Sequence, residues 1–144
     1  MTHAADVARW LGGKKLLKSE IRSDFDFVRL VQEGLPTAVL EGLVKRGELT
    51  PQEVEKYIIP RRTLAHRKRR HQPLSREESD KLARVARIFA VALDTFQDRE
   101  KASSWMRRSN RELQGAAPVE LLDTDSGARV VEQTLDRIAH GIFS

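Results

Sequence analysis

The chain contains no cysteine, which removes disulfides, thiolate catalysis and cysteine-ligated zinc and leaves a reducing compartment open to it. No apolar run approaches the roughly 18 residues of a membrane span, and the N-terminus lacks the uninterrupted apolar core of a signal peptide. The expected location is therefore the cytoplasm, with no membrane partner. Internal repeats, low-complexity tracts and strand-like alternation are missing as well. His3, His66, His71 and His140 are scattered rather than set one helical turn apart, so no metal site is expected. Ser103, Ser104 and Ser109 stand in no nucleophile motif. Gly13-Lys14 is only a fragment of a phosphate loop, because Ala8 and Lys15 occupy the positions where that loop needs Gly and Ser or Thr. Asp123 and Asp125 lie beside Gly127, where helix capping accounts for them. The expectation is a protein with no catalytic residue, no cofactor and no small-molecule substrate.

What is present is positive charge and helical periodicity. With 144 residues, 40% hydrophobic, 33% charged and a mean hydropathy of −0.50, the chain suits one compact helical domain or two small ones sharing a core. A formal charge of +5 and a pI near 9.9 favour a polyanionic partner.

The charge is concentrated after a punctuated stretch. Thr50 suits an N-cap, Pro51 the first helical position, and Glu53 completes a capping box. Val54, Tyr57 and Ile58 share one helical face, and Pro60 pushes Ile59 out of the helix. Beyond it, six Arg and Lys residues fall within the ten positions 61–70, with Leu64 and Ala65 as the expected apolar anchors. By composition alone this is a solvated cationic face. The capped helix and proline turn upstream instead indicate a helix-turn-helix, whose second helix lies in a DNA major groove. The candidate DNA residues are Arg61, Arg62, Thr63, His66, Arg67 and Lys68, with Arg62 and Thr63 nearest the bases; Arg69 and Arg70 lie at the margin of this set.

The remaining elements are also helical. Val7, Trp10 and Leu11 predict a short helix stopped by Gly12 and Gly13. Asp24 is expected to cap a helix carrying Phe25, Phe27, Val28, Leu30 and Val31 into the core, and Pro36 opens another with Val39, Leu40, Leu43 and Val44 inward. Ser75 and Glu78 form a second capping box before a long helix striped by Leu82, Val85, Ala86, Phe89, Ala90, Leu93 and Phe96, which suits a central core helix or a dimer surface. Asp98 caps a helix through Trp105 and Met106. After a short apolar segment, Thr124 to Gly127 caps a last helix with Val130, Val131, Leu135, Ile138 and Ala139 on one face. The fold class is all-α: residues 1–74 form an N-terminal region with the helix-turn-helix, and residues 75–144 a second, small helical domain that could serve dimerisation.

The function expected of that second domain comes from a resemblance. Ala102-Ser103-Ser104-Trp105-Met106, Ser109-Asn110-Arg111-Glu112-Leu113-Gln114-Gly115, Ala117-Pro118-Val119-Glu120-Leu121-Leu122, Asp123-Thr124, Gly127 and Arg137-Ile138-Ala139-His140-Gly141 follow one another as in the toxin-binding domain of the Xre/MbcA/ParS antitoxins. Arg62-Thr63-Leu64-Ala65-His66-Arg67 resembles the Arg-Thr-Leu-x-Arg-Arg run of that family's Xre-like helix-turn-helix. Val119 stands where the family has Leu, and His66 where it has Arg.

The resemblance implies a type II antitoxin that binds and blocks a RES-domain toxin, an enzyme consuming or transferring from NAD, and that represses its own promoter. The candidate toxin-contact residues are Trp105, Arg137, His140, Ile142, Phe143 and Ser144, with the terminal helix and tail over the NAD pocket. The expected partners are the toxin, double-stranded operator DNA and a second copy in a homodimer. The rival readings are a stand-alone helix-turn-helix repressor whose C-terminal half only dimerises, and a nucleic-acid-associated structural protein.

Overall fold

The computed structural model describes residues 4–141. They form α1 (Ala4–Leu11), α2 (Gly13–Leu17), α3 (Asp24–Glu33), α4 (Thr37–Lys45), α5 (Pro51–Tyr57), α6 (Arg61–Arg69), α7 (Arg76–Phe96), α8 (Arg99–Arg107) and α9 (Asp125–Ala139), with 3-10 turns at Arg111–Leu113 and Pro118–Leu121. No strand occurs among the described residues, as the all-α reading expects. Packing divides the chain into one unit that ends at Ala83 and another that begins at Arg84. The division thus falls inside α7, whereas the sequence reading set the boundary at the capping box that starts this helix. Among the described residues, no helix is long and apolar enough to cross a membrane.

In the first unit, α1 buries Val7, Ala8, Trp10 and Leu11. The Trp10 indole donates to Glu48 (2.9 Å) and Arg46 donates to the Trp10 carbonyl (3.0 Å), which ties α1 to the end of α4. Gly12 stops α1 at Leu11 as the sequence predicts, and α2 follows at once from Gly13 and buries Leu17. On α3 the cap is Ser23, not Asp24: its hydroxyl accepts from the Asp26 amide while the Asp26 carboxylate accepts from the Ser23 amide. The five apolar positions 25, 27, 28, 30 and 31 exceed one helical face, and the side that packs is the i, i+3, i+4 set of Phe27, Leu30 and Val31. Leu30 is buried, Phe27 is half-buried, and Phe25 is 76% exposed and Val28 49%, so the expectation that Phe25 packs in the core is wrong.

The connection from α3 to α4 is fixed by backbone contact. Gly34 has φ +103°, and a Cβ there would strike the Leu74 carbonyl oxygen, so no other residue fits without moving the chain. Beside it, the buried Leu35 amide donates to Ser79 Oγ (2.8 Å) and the Leu35 carbonyl accepts from the Leu74 amide (2.9 Å). Both capping boxes read from the sequence are formed. Thr50 Oγ1 accepts from the Glu53 amide (3.1 Å) and Glu53 from the Thr50 amide (2.9 Å); Ser75 Oγ accepts from the Glu78 amide (3.1 Å) and Glu78 from the Ser75 amide (2.8 Å). Between α5 and α6 the turn is anchored as well as broken, since Ile58 and Ile59 are both buried ahead of Pro60.

No residue of α6 is fully buried. Leu64 is half-buried and Ala65 exposed, so the two expected anchors do not account for its docking. Besides packing against α4, the helix is held by Arg67, which reaches Glu78 at the start of α7 through Nε to Oε1 (3.2 Å) and Nη2 to Oε2 (3.1 Å). The two side chains are 25% and 13% exposed, sheltered enough for a bidentate pair to matter.

In the second unit, α7 supplies Val85, Ala86, Ile88, Phe89, Ala90 and Ala92 to the core. Leu82, Val85, Ala86 and Phe89 are thus core, and the long helix is not a ready dimer surface; Leu93, 40% exposed, departs from the stripe. Asp98 caps α8 by accepting from the Lys101 amide (2.9 Å), and Trp105 packs on Phe96 with ring centroids 5.7 Å apart. The chain from Ser109 to Gly115 closes on itself: Ser109 Oγ donates to the Gly115 carbonyl (2.6 Å) and Asn110 Oδ1 accepts from the Glu112 amide (2.9 Å). Thr124 caps α9, accepting from the Gly127 amide (2.9 Å), and a Cβ on Gly127 would collide with the Leu121 carbonyl oxygen. Of the expected α9 face, Val131 and Leu135 are buried, while Val130 and Ala139 are exposed.

Two stability measurements follow from these contacts. Replacing Ser79 by Ala leaves the buried Leu35 amide without its acceptor and is expected to cost about 1–3 kcal/mol in urea unfolding; an unchanged midpoint would contradict the assignment. For Glu78, burial raises the carboxyl, but hydrogen bonds from Arg67 and Ser75 outweigh it and hold it below the usual glutamate range. A carboxyl depressed in the folded state stabilises above its unfolded value of about 4.3 and loses that contribution as pH falls through the folded value. Glu78→Gln should therefore cost about 1–3 kcal/mol near neutrality. The gap from the parent should narrow below about pH 4, and a gap independent of pH would refute the pairing.

Candidate nucleic-acid interface and partner-binding surface

Helices α5 and α6, joined across Ile58, Ile59 and Pro60, form the helix-turn-helix expected from the sequence. The cations of α6 divide by direction. Arg67 is committed to Glu78. Lys68 pairs with Glu41 of α4 at 2.9 Å, and Arg61 approaches Glu55 of α5 at 4.0 Å. Thr63 is half-buried beneath the helix. What faces outward is Arg62, Ala65, His66 and Arg69, all exposed and spaced i, i+3, i+4 and i+7 along one stripe, with Arg70 exposed beyond it. Among the described residues, Arg62, Arg69 and Arg70 meet no carboxylate.

The sequence-based candidate set is thereby sorted. Arg62 and His66 lie on the outward stripe, Arg61 and Lys68 lie on its flank with acidic neighbours, and Thr63 and Arg67 lie on the docked side. Arg69 was left at the margin by the sequence reading. Its signal was available in the spacing: Arg69 falls seven positions after Arg62, on the same side of the helix.

In the second unit, Trp105 is only 8% exposed, because Ala102, Trp105 and Met106 form the buried side of α8. Trp105 is thus mainly a core residue, and its remaining exposed edge lines a shallow hollow together with Phe96, Glu100, Lys101, Ser104 and Arg108. On α9 the outward side carries Arg129, Val130, Gln133, Asp136 and His140, with Val130 45% exposed amid polar neighbours. Arg137 is half-buried and donates to Thr134 Oγ1 at 3.4 Å. The His140 ring lies 2.8 Å from the Asp136 carbonyl oxygen. Ile142, Phe143 and Ser144, expected in the toxin contact, lie outside the described residues. No three His, Asp or Glu side chains among the described residues gather as a metal-ligand set.

Residues 26–87 match the Antitoxin Xre-like helix-turn-helix domain, and residues 92–141 match the Antitoxin Xre/MbcA/ParS C-terminal toxin-binding domain. The Antitoxin Xre of Pseudomonas putida is 39% identical over 122 residues, covering 85% of this chain and 76% of that protein. The Antitoxin Xre of Photorhabdus laumondii is 32% identical over 117 residues, 80% of this chain and 79% of its own length. A Sphingobium protein named Prs ADP-ribosylating antitoxin is 34% identical over 83 residues, 51% of this chain and 52% of that protein. Both matched domains act by binding, in agreement with the non-enzymatic reading. The order of the two domains and the reach of the identity across most of both chains place the protein plainly: it belongs to the Xre family of antitoxins, the neutralising members of toxin-antitoxin systems.

Proposed function

We propose that the chain neutralises a RES-domain toxin that consumes or transfers from NAD, by covering its active site with the end of α9 and the residues after it. As a cytoplasmic homodimer it also binds and represses its own promoter through α6. The DNA half of this reading is carried by the outward stripe of α6, where Arg62 and Arg69 stand one above the other with no carboxylate to neutralise them. Phosphate-directed cations positioned in this way hold a recognition helix in register, and His66 between them is placed toward base edges. The toxin half is supported by the exposed side of α9, where Val130 and the carboxyl-terminal turn with His140 offer apolar and polar surface together.

Two assays separate these halves. With a purified RES-domain toxin, the full chain should stop NAD loss, and deletion of Ile142, Phe143 and Ser144 should weaken inhibition by about tenfold or more. Undiminished inhibition would mean that the tail is not the plug. On promoter DNA, Arg62→Ala and Arg69→Ala should each weaken binding and lower the slope of log affinity against log salt by about one. Arg67→Ala should instead act mainly through stability. Unchanged binding by the Arg62 and Arg69 variants would remove α6 from the interface.

A further inference from the structure

The first unit has two incomplete surfaces, and each supplies what the other lacks. One is a groove of about 350 Å³ between α4, α5 and α6, floored by Leu40, Val44, Val54, Ile59 and Leu64. Closed apolar cavities of about 150 Å³ are large enough to take a benzene ring, so an aromatic side chain fits here with room to spare. The rim carries Lys45, Arg61 and Lys68 against Glu41 and Glu55, one positive charge in excess. Lys68 pairs with Glu41 at 2.9 Å and Arg61 lies 4.0 Å from Glu55, whereas Lys45, exposed and without a partner among the described residues, is the rim cation with no carboxylate beside it.

The other surface is the first turn of α3. Phe25 is 76% exposed, Val28 follows one turn later at 49%, and neither lines the groove of its own chain. An aromatic residue so exposed in a helix otherwise capped and ordered is the kind of feature that marks a contact surface. Its neighbour Asp24 is exposed and has no partner among the described residues, whereas Asp26 is committed to the capping box. The turn therefore presents an aromatic ring with one available carboxylate beside it, and the groove presents an apolar floor with one available ammonium beside it.

We propose that the occupant of the groove is the α3 turn of a second copy of this chain, with Phe25 seated over Leu64 and Val44 and Asp24 meeting Lys45. Two such contacts exchanged about a two-fold axis close a dimer, with each chain giving and receiving one aromatic anchor. The inference rests on the homodimer reading above and names its surface, which the core position of α7 left open. Because Arg61, Leu64 and Lys68 belong to α6, the same contact holds the recognition helix against its partner while Arg62, His66 and Arg69 remain outward.

Sedimentation equilibrium of the full chain tests this. The parent should form dimers, and Phe25→Ser, at a site too exposed to disturb the fold, should weaken association by about 30-fold, the size of a hot-spot loss. Asp24→Lys and Lys45→Glu should each weaken it, and the Asp24→Lys/Lys45→Glu double variant should recover most of the loss. A parent that stays monomeric at all concentrations would overturn the homodimer reading itself. A parent dimer left intact by Phe25→Ser, or a double variant no tighter than its single variants, would overturn this surface alone.

Discussion

The carboxylate of Glu78 is the point on which the helix-turn-helix depends. It accepts from the Ser75 amide and so closes the cap of α7, and it accepts from both forks of Arg67 and so holds α6. Helix α6 needs that hold, because it contributes no fully buried side chain and has only Leu64, Thr63 and Arg67 partly sheltered. A helix so rich in cations would repel itself if every charge faced solvent. Turning Arg67 inward against a sheltered carboxylate removes one charge from that face and converts it into an orientation constraint. The nearby contact of Gly34 and Leu35 with Leu74 and Ser79 fixes the other side of the same junction, through the backbone of Gly34, Leu35 and Leu74 and the Ser79 hydroxyl.

That arrangement divides the basic stretch by purpose. Arg67 has a sheltered acidic partner on α7 that belongs to the packing of the unit, while Arg61 and Lys68 have exposed acidic neighbours on α5 and α4. Arg62, His66 and Arg69 belong to the surface. The groove beside Leu64 lies on the flank of the same helix, so one short helix supplies the outward stripe, the clasp and one wall of a docking surface. In the second unit the labour is divided likewise: α8 turns Trp105 and Met106 inward, while α9 keeps Val131 and Leu135 inside and leaves Val130 out.

Much of this was legible in the sequence, for local reasons. Thr50-Pro51-x-Glu53, Ser75-x-x-Glu78, Asp98 and Thr124 satisfy orphan amides within three residues of themselves, so their geometry does not wait on the rest of the fold. The motifs that carry the family resemblance proved to be of the same kind. Asn110 and Gly115 close a turn, Thr124 and Gly127 start α9 against the Leu121 carbonyl, and Trp105 fills the core. They identify the fold because they build it. What the sequence did not give away were choices settled at long range. Asp24 and Ser23 are both competent caps, and of five apolar positions too many for one helical face, packing turns Phe27, Leu30 and Val31 inward and leaves Phe25 and Val28 in solvent. The partner of Arg67 lies eleven positions away across a turn, and although spacing sets Arg67 on the side of Thr63 and Leu64, no local pattern names Glu78 as its partner. Gly12-Gly13 stops α1 as it reads, but the short α2 that follows depends on a core for Leu17 to enter.

The inward and outward division of the α6 arginines can be observed directly in the side-chain Nε–Hε resonances of the full chain as promoter duplex is added. The account expects the Arg62 and Arg69 signals to shift and broaden with DNA while the Arg67 signal, held by Glu78, stays in place. An Arg67 signal that moves with the duplex while those of Arg62 and Arg69 remain still would contradict it.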